Sequence, residues 1–174
     1  LWNSLHIVGP DAKILATYDK FHLVPFGEYV PFRKYLNNFL PLIKLTEGRV
    51  DFSSGPGQRT ITVPGAPRVS PLICYEVIFS GAVTSSGKKD IPQPEWLLNI
   101  TNDAWFGVSS GPFQHLAAAQ LRAVEEGLPL VRVANTGISA VIDGYGRIRE
   151  ASDLNERTYV DAPLPMLKGA DHNS

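Results

Sequence analysis

The sequence is poor in the residues that form disulfides and metal sites. Cys74 is the only cysteine among 174 residues, so no disulfide can form within the chain, and the redox compartment stays undecided. Histidine and cysteine residues nowhere have the spacing of zinc ligands, and no glycine-rich segment has the pattern of a phosphate-binding loop. We therefore expect no metal and no cofactor.

Blocks of like charge and long apolar runs are also absent from the sequence. The formal net charge is −1 and no segment is rich in lysine and arginine, so no nucleic-acid partner is predicted. No apolar run approaches the roughly 20 residues that a membrane-spanning helix needs. Hydrophobic residues make up 44% and charged residues 19%, a composition typical of a single globular domain at this length.

Apolar segments separated by glycine and proline turns predict a mixed α/β chain. Gly111 and Pro112 open the clearest helix, which ends near Gly127. Its apolar face is predicted to contain Phe113, Leu116, Ala117, Leu121 and Val124. Strands are predicted at residues 4–8, 13–18, 60–63, 69–73, 96–100, 130–134, 137–142, 147–151 and 158–160. Strand pairs interrupted by one or two helices suit a layered α/β sandwich.

Cys74 stands at the end of an apolar run that predicts a buried strand. A thiol at a strand end, followed by a turn, sits on a rigid backbone, and the next N–H groups point toward whatever the sulfur attacks. This geometry is typical of a nucleophile with its own oxyanion site. A lone cysteine can also be a small buried side chain, so the interpretation depends on partners elsewhere in the chain.

Three charged residues are candidate partners of Cys74. Lys20 follows a predicted strand and precedes a loop that contains proline and glycine. An ammonium group near the thiol would favour the thiolate and stabilise a tetrahedral intermediate. Glu28 lies in the same loop, and Glu76 lies two residues beyond the cysteine. Taken alone, Lys20 could be a solvated surface lysine and either glutamate an ion-pair partner.

Five segments, in order along the chain, resemble the motifs of the nitrilase (carbon–nitrogen hydrolase) superfamily. Residues 18–28 (YDKFHLVPFGE) resemble its lysine motif, and residues 73–76 (ICYE) resemble its cysteine motif. The set is completed by residues 102–107 (NDAWFG), 111–115 (GPFQH) and 135–140 (NTGISA). Within the superfamily, the chain is most similar to the nitrilase-like domain of the apolipoprotein N-acyltransferase family, from about residue 1 to the strand at Arg147.

The resemblance implies a nitrilase-type αββα sandwich with a Glu–Lys–Cys triad. The implied catalytic residues are Cys74 as nucleophile, Lys20 as the triad lysine and Glu28 as a supporting glutamate. The implied supporting or substrate-binding residues are Tyr75, whose N–H would help to hold the oxyanion, Glu76, and Trp105 at the lipid entrance.

The family's general-base glutamate comes from a strand well before the lysine motif, but residues 1–19 contain no glutamate. The family's N-terminal membrane helices are not in the sequence either. We therefore expect residues 1–174 to be the C-terminal part of a carbon–nitrogen hydrolase domain, lacking its N-terminal strands. We also expect this chain by itself to be inactive.

The activity implied by the resemblance is transfer of a fatty acyl group through a cysteine thioester. The donor would be a phospholipid and the acceptor a diacylglyceryl-cysteine lipoprotein, at the bacterial inner membrane with the catalytic domain on its periplasmic or extracytoplasmic side. The apolar segment 29–43 could lie against a bilayer or equally cover the domain's own core. Two alternatives stay open: a soluble amidase or nitrilase of the same superfamily, and a non-catalytic fragment.

Other polar residues of the motifs are interpreted as structural. His22 is expected to brace the lysine loop, and His115 to cap or pack at the start of the helix. Asn102, Asp103 and Asn135 stand at predicted strand ends, where such side chains fix loops.

Overall fold

The computed structural model describes residues 1–31, 51–85 and 91–165, which contain two β-sheets. An antiparallel hairpin is formed by β1 (Ser4–Val8) and β2 (Ile14–Asp19). The second sheet consists, in spatial order, of β3 (Val69–Ile73), β4 (Trp96–Asn102), β5 (Leu130–Asn135), β6 (Ala140–Ile142) and β7 (Ile148–Ala151). The first three strands are parallel, whereas β6 and β7 each pair antiparallel with their neighbour.

Helix α1 (Gly111–Glu126) connects β4 to β5, because parallel neighbours need a crossover between their ends. Pro112 stands in its first turn, and Gly127 ends it in the left-handed region with φ 67°, as the sequence predicts. Two short 3₁₀ helices, Cys74–Ile78 and Ala104–Phe106, follow the carboxyl ends of β3 and β4.

The five-stranded sheet is covered by α1 on one face and, at β3, by the hairpin on the other. On the face under α1 the buried residues are Leu72, Val77, Val83, Leu97, Leu116, Ala119, Ala123, Leu130, Ile138, Ala140 and Ile142. The hairpin packs on the other face at β3, where the buried residues are Leu5, Tyr18, Ile61, Val69 and Ile73. A helical layer and two β layers are therefore stacked, which confirms the predicted α/β sandwich.

Three predicted strands differ from the structure. Residues 60–63 form only the isolated bridge Ile61↔Val69, because the chain turns again at Pro64. The strand predicted at 137–142 begins only at Ala140, since residues 137–139 form the connection from β5. Residues 158–160 are not a strand, and the Tyr159 side chain is 87% exposed.

The prediction of the helix's apolar face is largely wrong. Phe113, Leu121 and Val124 are exposed, and of the predicted set only Leu116 is buried. The buried face instead consists of Pro112, His115, Leu116, Ala119 and Ala123. Small alanines let the helix approach the sheet closely, and the larger apolar side chains remain on its outer surface.

The predicted apolar segment 29–43 lies outside the described residues from position 32 onward, as does the end of the chain from position 166. Within the three described ranges, no helix has both the length and the hydropathy required to cross a bilayer. Histidine, cysteine and acidic residues of the same ranges form no group suited to a metal ion.

Candidate active site

Cys74 occupies a strained position directly after β3. Its φ of 55° lies in the left-handed region, which costs a non-glycine residue roughly 1–3 kcal/mol and persists only where the surroundings enforce it. The side chain is half-buried, is not in a disulfide, and lines a cavity of about 260 Å³. Backbone strain of this kind is typical of functional positions.

Lys20 and Glu28 form a buried ion pair in the wall of the same cavity. The Nζ–Oε2 distance is 2.7 Å, and the two side chains are only 1% and 12% exposed. Glu28 also accepts hydrogen bonds from the Val24 N–H at 2.9 Å and from the Asn3 side chain at 3.1 Å. Buried charged groups are stabilised by such partners, so Glu28 fixes the position of the Lys20 side chain in the cavity wall.

Glu76 joins the loop after β2 to the end of β3. Its Oε1 accepts hydrogen bonds from the backbone N–H groups of Phe21 and His22 at 2.8 and 3.1 Å. Its Oε2 accepts one from the N–H of Ile73 at 2.7 Å. The side chain is 1% exposed. Glu76 is therefore turned toward backbone rather than toward the cavity, and it fixes the position of Lys20's loop against the cysteine turn.

The Tyr18 hydroxyl extends this contact into the protein interior. It lies 2.9 Å from Glu76 Oε1 and 2.6 Å from Gln58 Oε1, both within donor range. Burial and the negative charge of Glu76 raise the pKa of Tyr18 far above its usual value, so the phenol keeps its proton as a donor.

The cavity beside Cys74 has mainly apolar walls. Its lining residues are Lys20, Val24, Pro25, Gly27, Glu28, Cys74, Tyr75, Asn102, Trp105 and Phe106. The Trp105 side chain is 63% exposed, which places it at the rim. The site therefore combines one thiol, one buried cation and an apolar surface for a substrate.

A buried polar network lies behind the cysteine turn. Arg132 of β5 contacts Asp103 at 2.6 Å, and Asp103 contacts His115 Nδ1 at 2.9 Å. Arg132 Nη1 also donates a short hydrogen bond to Asn99 Oδ1. All four side chains are buried. Burial raises the pKa of Asp103, but the His115 hydrogen bond and the Arg132 charge outweigh it, and the net pKa lies below the usual value.

Five of the six residues singled out in the sequence are together in this cavity: Lys20, Glu28, Cys74, Tyr75 and Trp105. The sixth, Glu76, lies behind it. Sequence reasoning missed Asn99 and Arg132. A signal was available, because each is a polar residue in the middle of an otherwise apolar strand, LLNIT and LVRVA.

A half-buried thiol on a strained turn, next to a buried lysine–carboxylate pair, is the arrangement of enzymes with a cysteine nucleophile. The family model described as carbon–nitrogen hydrolase matches residues 1–168. The chain therefore belongs to the carbon–nitrogen hydrolase family.

Curated relatives with the same printed name match nearly all of the chain. Apolipoprotein N-acyltransferase of Bradyrhizobium diazoefficiens is 48% identical over 164 residues, or 94% of this chain and 30% of the relative. The protein of that name from Rhodopseudomonas palustris is 46% identical over the same shares. The one from Rickettsia prowazekii is 43% identical, over 95% of this chain and 32% of the relative. The chain thus spans about 30% of the length of these relatives.

Solved structures share the fold at lower identity. A CN-hydrolase superfamily protein from Xanthomonas campestris, with an arsenic adduct in its active site, aligns with a TM-score of 0.59 and 20% identity over 87% of this chain and 52% of the other. An amidase from Nesterenkonia sp. in complex with butyramide aligns with a TM-score of 0.58 and 18% identity, over 87% and 51% of the two chains. These similarities confirm the predicted nitrilase-type fold.

Proposed function

We propose that this chain supplies the nucleophile and the oxyanion-stabilising lysine of an acyltransferase that N-acylates lipoproteins. The observation that carries the proposal is the cavity in which Cys74 faces the buried Lys20–Glu28 pair between apolar walls. The names of relatives at 43–48% identity support the same activity.

In the first half-reaction, the Cys74 thiolate attacks an ester carbonyl of a phospholipid. The carbon–sulfur bond forms, the ester carbon–oxygen bond breaks, and the lysophospholipid leaves after its alkoxide takes the proton removed from the thiol. Lys20 Nζ and the Tyr75 N–H stabilise the negative oxygen of the tetrahedral intermediate. Loss of one such donor typically lowers the rate about 10²–10³-fold.

In the second half-reaction, the free α-amine of a diacylglyceryl-cysteine lipoprotein attacks the thioester. The amide bond forms, the thiolate leaves, and the amine's surplus proton passes to the base. Cysteine suits both steps, because a thiolate is a strong nucleophile and a thioester is a good acyl donor to amines. Glu28 orients Lys20 through their 2.7 Å contact, and Trp105 and Phe106 offer apolar surface to an acyl chain.

The general base is expected to come from another part of the folded polypeptide, since the region before Lys20 contains no glutamate. We propose that residues 1–174 are the C-terminal part of the catalytic domain. The chain spans about half of the aligned solved structures and 30% of its curated relatives, which is consistent with this. The complete protein would carry membrane helices and act at the outer face of the bacterial inner membrane.

The test is an acyl-transfer assay with the full-length protein. The protein is placed in vesicles whose phospholipids carry labelled acyl chains, and a diacylglyceryl-cysteine peptide serves as the acceptor. We expect labelled N-acyl peptide from the unchanged protein and none from Cys74→Ala. Butyramide hydrolysis without acyl transfer would identify a small-molecule amidase instead. Undiminished transfer by Cys74→Ala would exclude this nucleophile, and neither activity in the unchanged protein would favour a non-catalytic role.

A further inference from the structure

We propose that Asn99 and Arg132 are positioning residues that hold Cys74 in its reactive conformation through the Cys74 carbonyl. The proposal rests on the proposed function only for its kinetic readout, since the reactivity of the thiol can be measured separately. Neither residue lines the cavity, so each acts through the cysteine's backbone rather than on a substrate.

The first step of this connection is the contact between Asn99 and the cysteine turn. Asn99 lies in β4 opposite Leu72 of β3. Its Nδ2 donates to the Cys74 carbonyl at 3.2 Å and to the Leu72 carbonyl at 3.3 Å. The Asn99 amide therefore bonds the carbonyl of the residue that carries the strained φ of 55°. A fully buried donor at this place helps to maintain a conformation that the residue by itself disfavours.

The second step is the contact that orients the Asn99 amide. Arg132 lies opposite Asn99 in β5, and its Nη1 donates to Asn99 Oδ1. Guanidinium groups only donate hydrogen bonds, so the amide oxygen must face Arg132. The amide nitrogen must then face Cys74. If the Asn99 amide were flipped, its NH₂ group would face the N–H groups of Arg132, and its hydrogen bond to the Cys74 carbonyl would be lost.

The third step fixes Arg132 itself. Asp103 Oδ2 lies 2.6 Å from Nη2, while Asp103 Oδ1 contacts His115 at 2.9 Å and Thr101 Oγ1 at 3.1 Å. The His115 ring in turn stacks on Tyr75, with ring centroids 5.3 Å apart. The network therefore reaches the nucleophile from two sides, at the Cys74 carbonyl and at the side chain of the next residue.

The buried charge of Arg132 is balanced within this network. Burial lowers the pKa of Arg132, whereas the charge and the hydrogen bond of Asp103 act in the opposite direction. Removing the guanidinium should therefore release the Asn99 amide, and removing only the Asn99 donor should misplace the sulfur.

The test compares the rate of Cys74 alkylation by iodoacetamide at a single pH in the full-length protein, followed by mass spectrometry of the peptide that contains Cys74. The variants are Asn99→Leu, which removes the donor at similar size without adding a charge, Arg132→Lys and Arg132→Met. Arg147→Met is the matched control, because Arg147 pairs at 2.8 Å with another buried carboxylate, Asp143, away from the cavity.

We expect Asn99→Leu and Arg132→Met to slow the alkylation of Cys74 at least tenfold. In acyl transfer they should lower kcat at least tenfold with less than a threefold change in KM. Arg132→Lys should recover part of the alkylation rate, because it keeps the charge beside Asp103 but lacks the planar fork that reaches both Asn99 and Asp103. Arg147→Met should match the unchanged protein.

The proposal is overturned if folded Asn99→Leu keeps the unchanged alkylation rate and kcat. Should Arg132→Met fail to fold, Asn99→Leu and Arg132→Lys decide the question alone. If the unchanged protein transfers no acyl group but the variants slow alkylation as expected, the positioning role stands and only the proposed function fails.

Discussion

Replacing Glu76 with glutamine should loosen the contact that holds the lysine loop against the cysteine turn. The carboxylate accepts hydrogen bonds from three backbone N–H groups, those of Phe21, His22 and Ile73. A glutamine has one oxygen and one NH₂ group, so whichever way it is turned, a donor faces a donor on one side. The charge that strengthened all of these hydrogen bonds is also lost.

The size of the effect follows from these contacts. A hydrogen bond to a charged group contributes about 1.5–3 kcal/mol, and a buried donor without a partner costs about 1–3 kcal/mol. We therefore expect Glu76→Gln to weaken this contact by about 3 kcal/mol, which corresponds to a roughly 100-fold change in a local opening equilibrium.

The assay is native-state hydrogen exchange at the amides of Phe21, His22 and Ile73. Exchange in Glu76→Gln should be about 100-fold faster at these amides, and alkylation of Cys74 should slow because the lysine loop moves away. Glu150→Gln, on the exposed strand β7, is the matched control and should change neither quantity. Unchanged exchange at all three amides in Glu76→Gln would refute the reasoning.

Three further predictions follow from other contacts. Lys20→Met should lower the acyl-transfer rate about 10²–10³-fold while Glu28 loses its cation; a rate within threefold of the unchanged protein would exclude the lysine's role. Asp143 has a pKa below its usual value, because hydrogen bonds from Arg147 outweigh the effect of burial. The ionised Asp143 side chain therefore stabilises the folded state fully above the unfolded pKa of about 3.9, and this stabilisation is lost as the pH falls through the lower folded pKa. In Asp143→Asn the melting temperature should therefore fall less steeply below about pH 4 than in the unchanged protein. An equally steep fall would contradict this prediction. Gly137→Ala would place a methyl group against Asp103 Oδ2. We therefore expect a lower melting temperature and slower alkylation of Cys74. Unchanged values would contradict this, because they would show that the buried network tolerates displacement of Asp103.

The parts of the fold that could be predicted from the sequence are those decided locally. Proline in the first turn and glycine after the last fix the ends of α1 because they act through their own backbones. The strand before Cys74 was predictable from its apolar run. The buried face of α1 could not be predicted in this way. Ala119 and Ala123 face the sheet because small side chains allow close packing, whereas a search for large apolar residues selects other positions.

Five residues that line the cavity could be predicted because the resemblance supplied their types and their order along the chain. Sequence reasoning took Glu76 for an ion-pair partner or a supporting residue, yet the structure shows it bonded to backbone N–H groups on both sides of the site. Asn99 and Arg132 were missed because their partners are far away in sequence. Only the register of β3, β4 and β5 brings them beside the cysteine.

The most direct measurement of the central claim locates the acyl group during turnover. The full-length protein is mixed with phospholipid alone, quenched in acid to preserve thioesters, digested and examined by mass spectrometry. The account predicts one fatty acyl mass on the peptide containing Cys74. Hydroxylamine should remove this acyl group, and acceptor peptide added before the quench should remove it as well. An acyl group on a different residue, or none in a protein that transfers acyl chains, would contradict it.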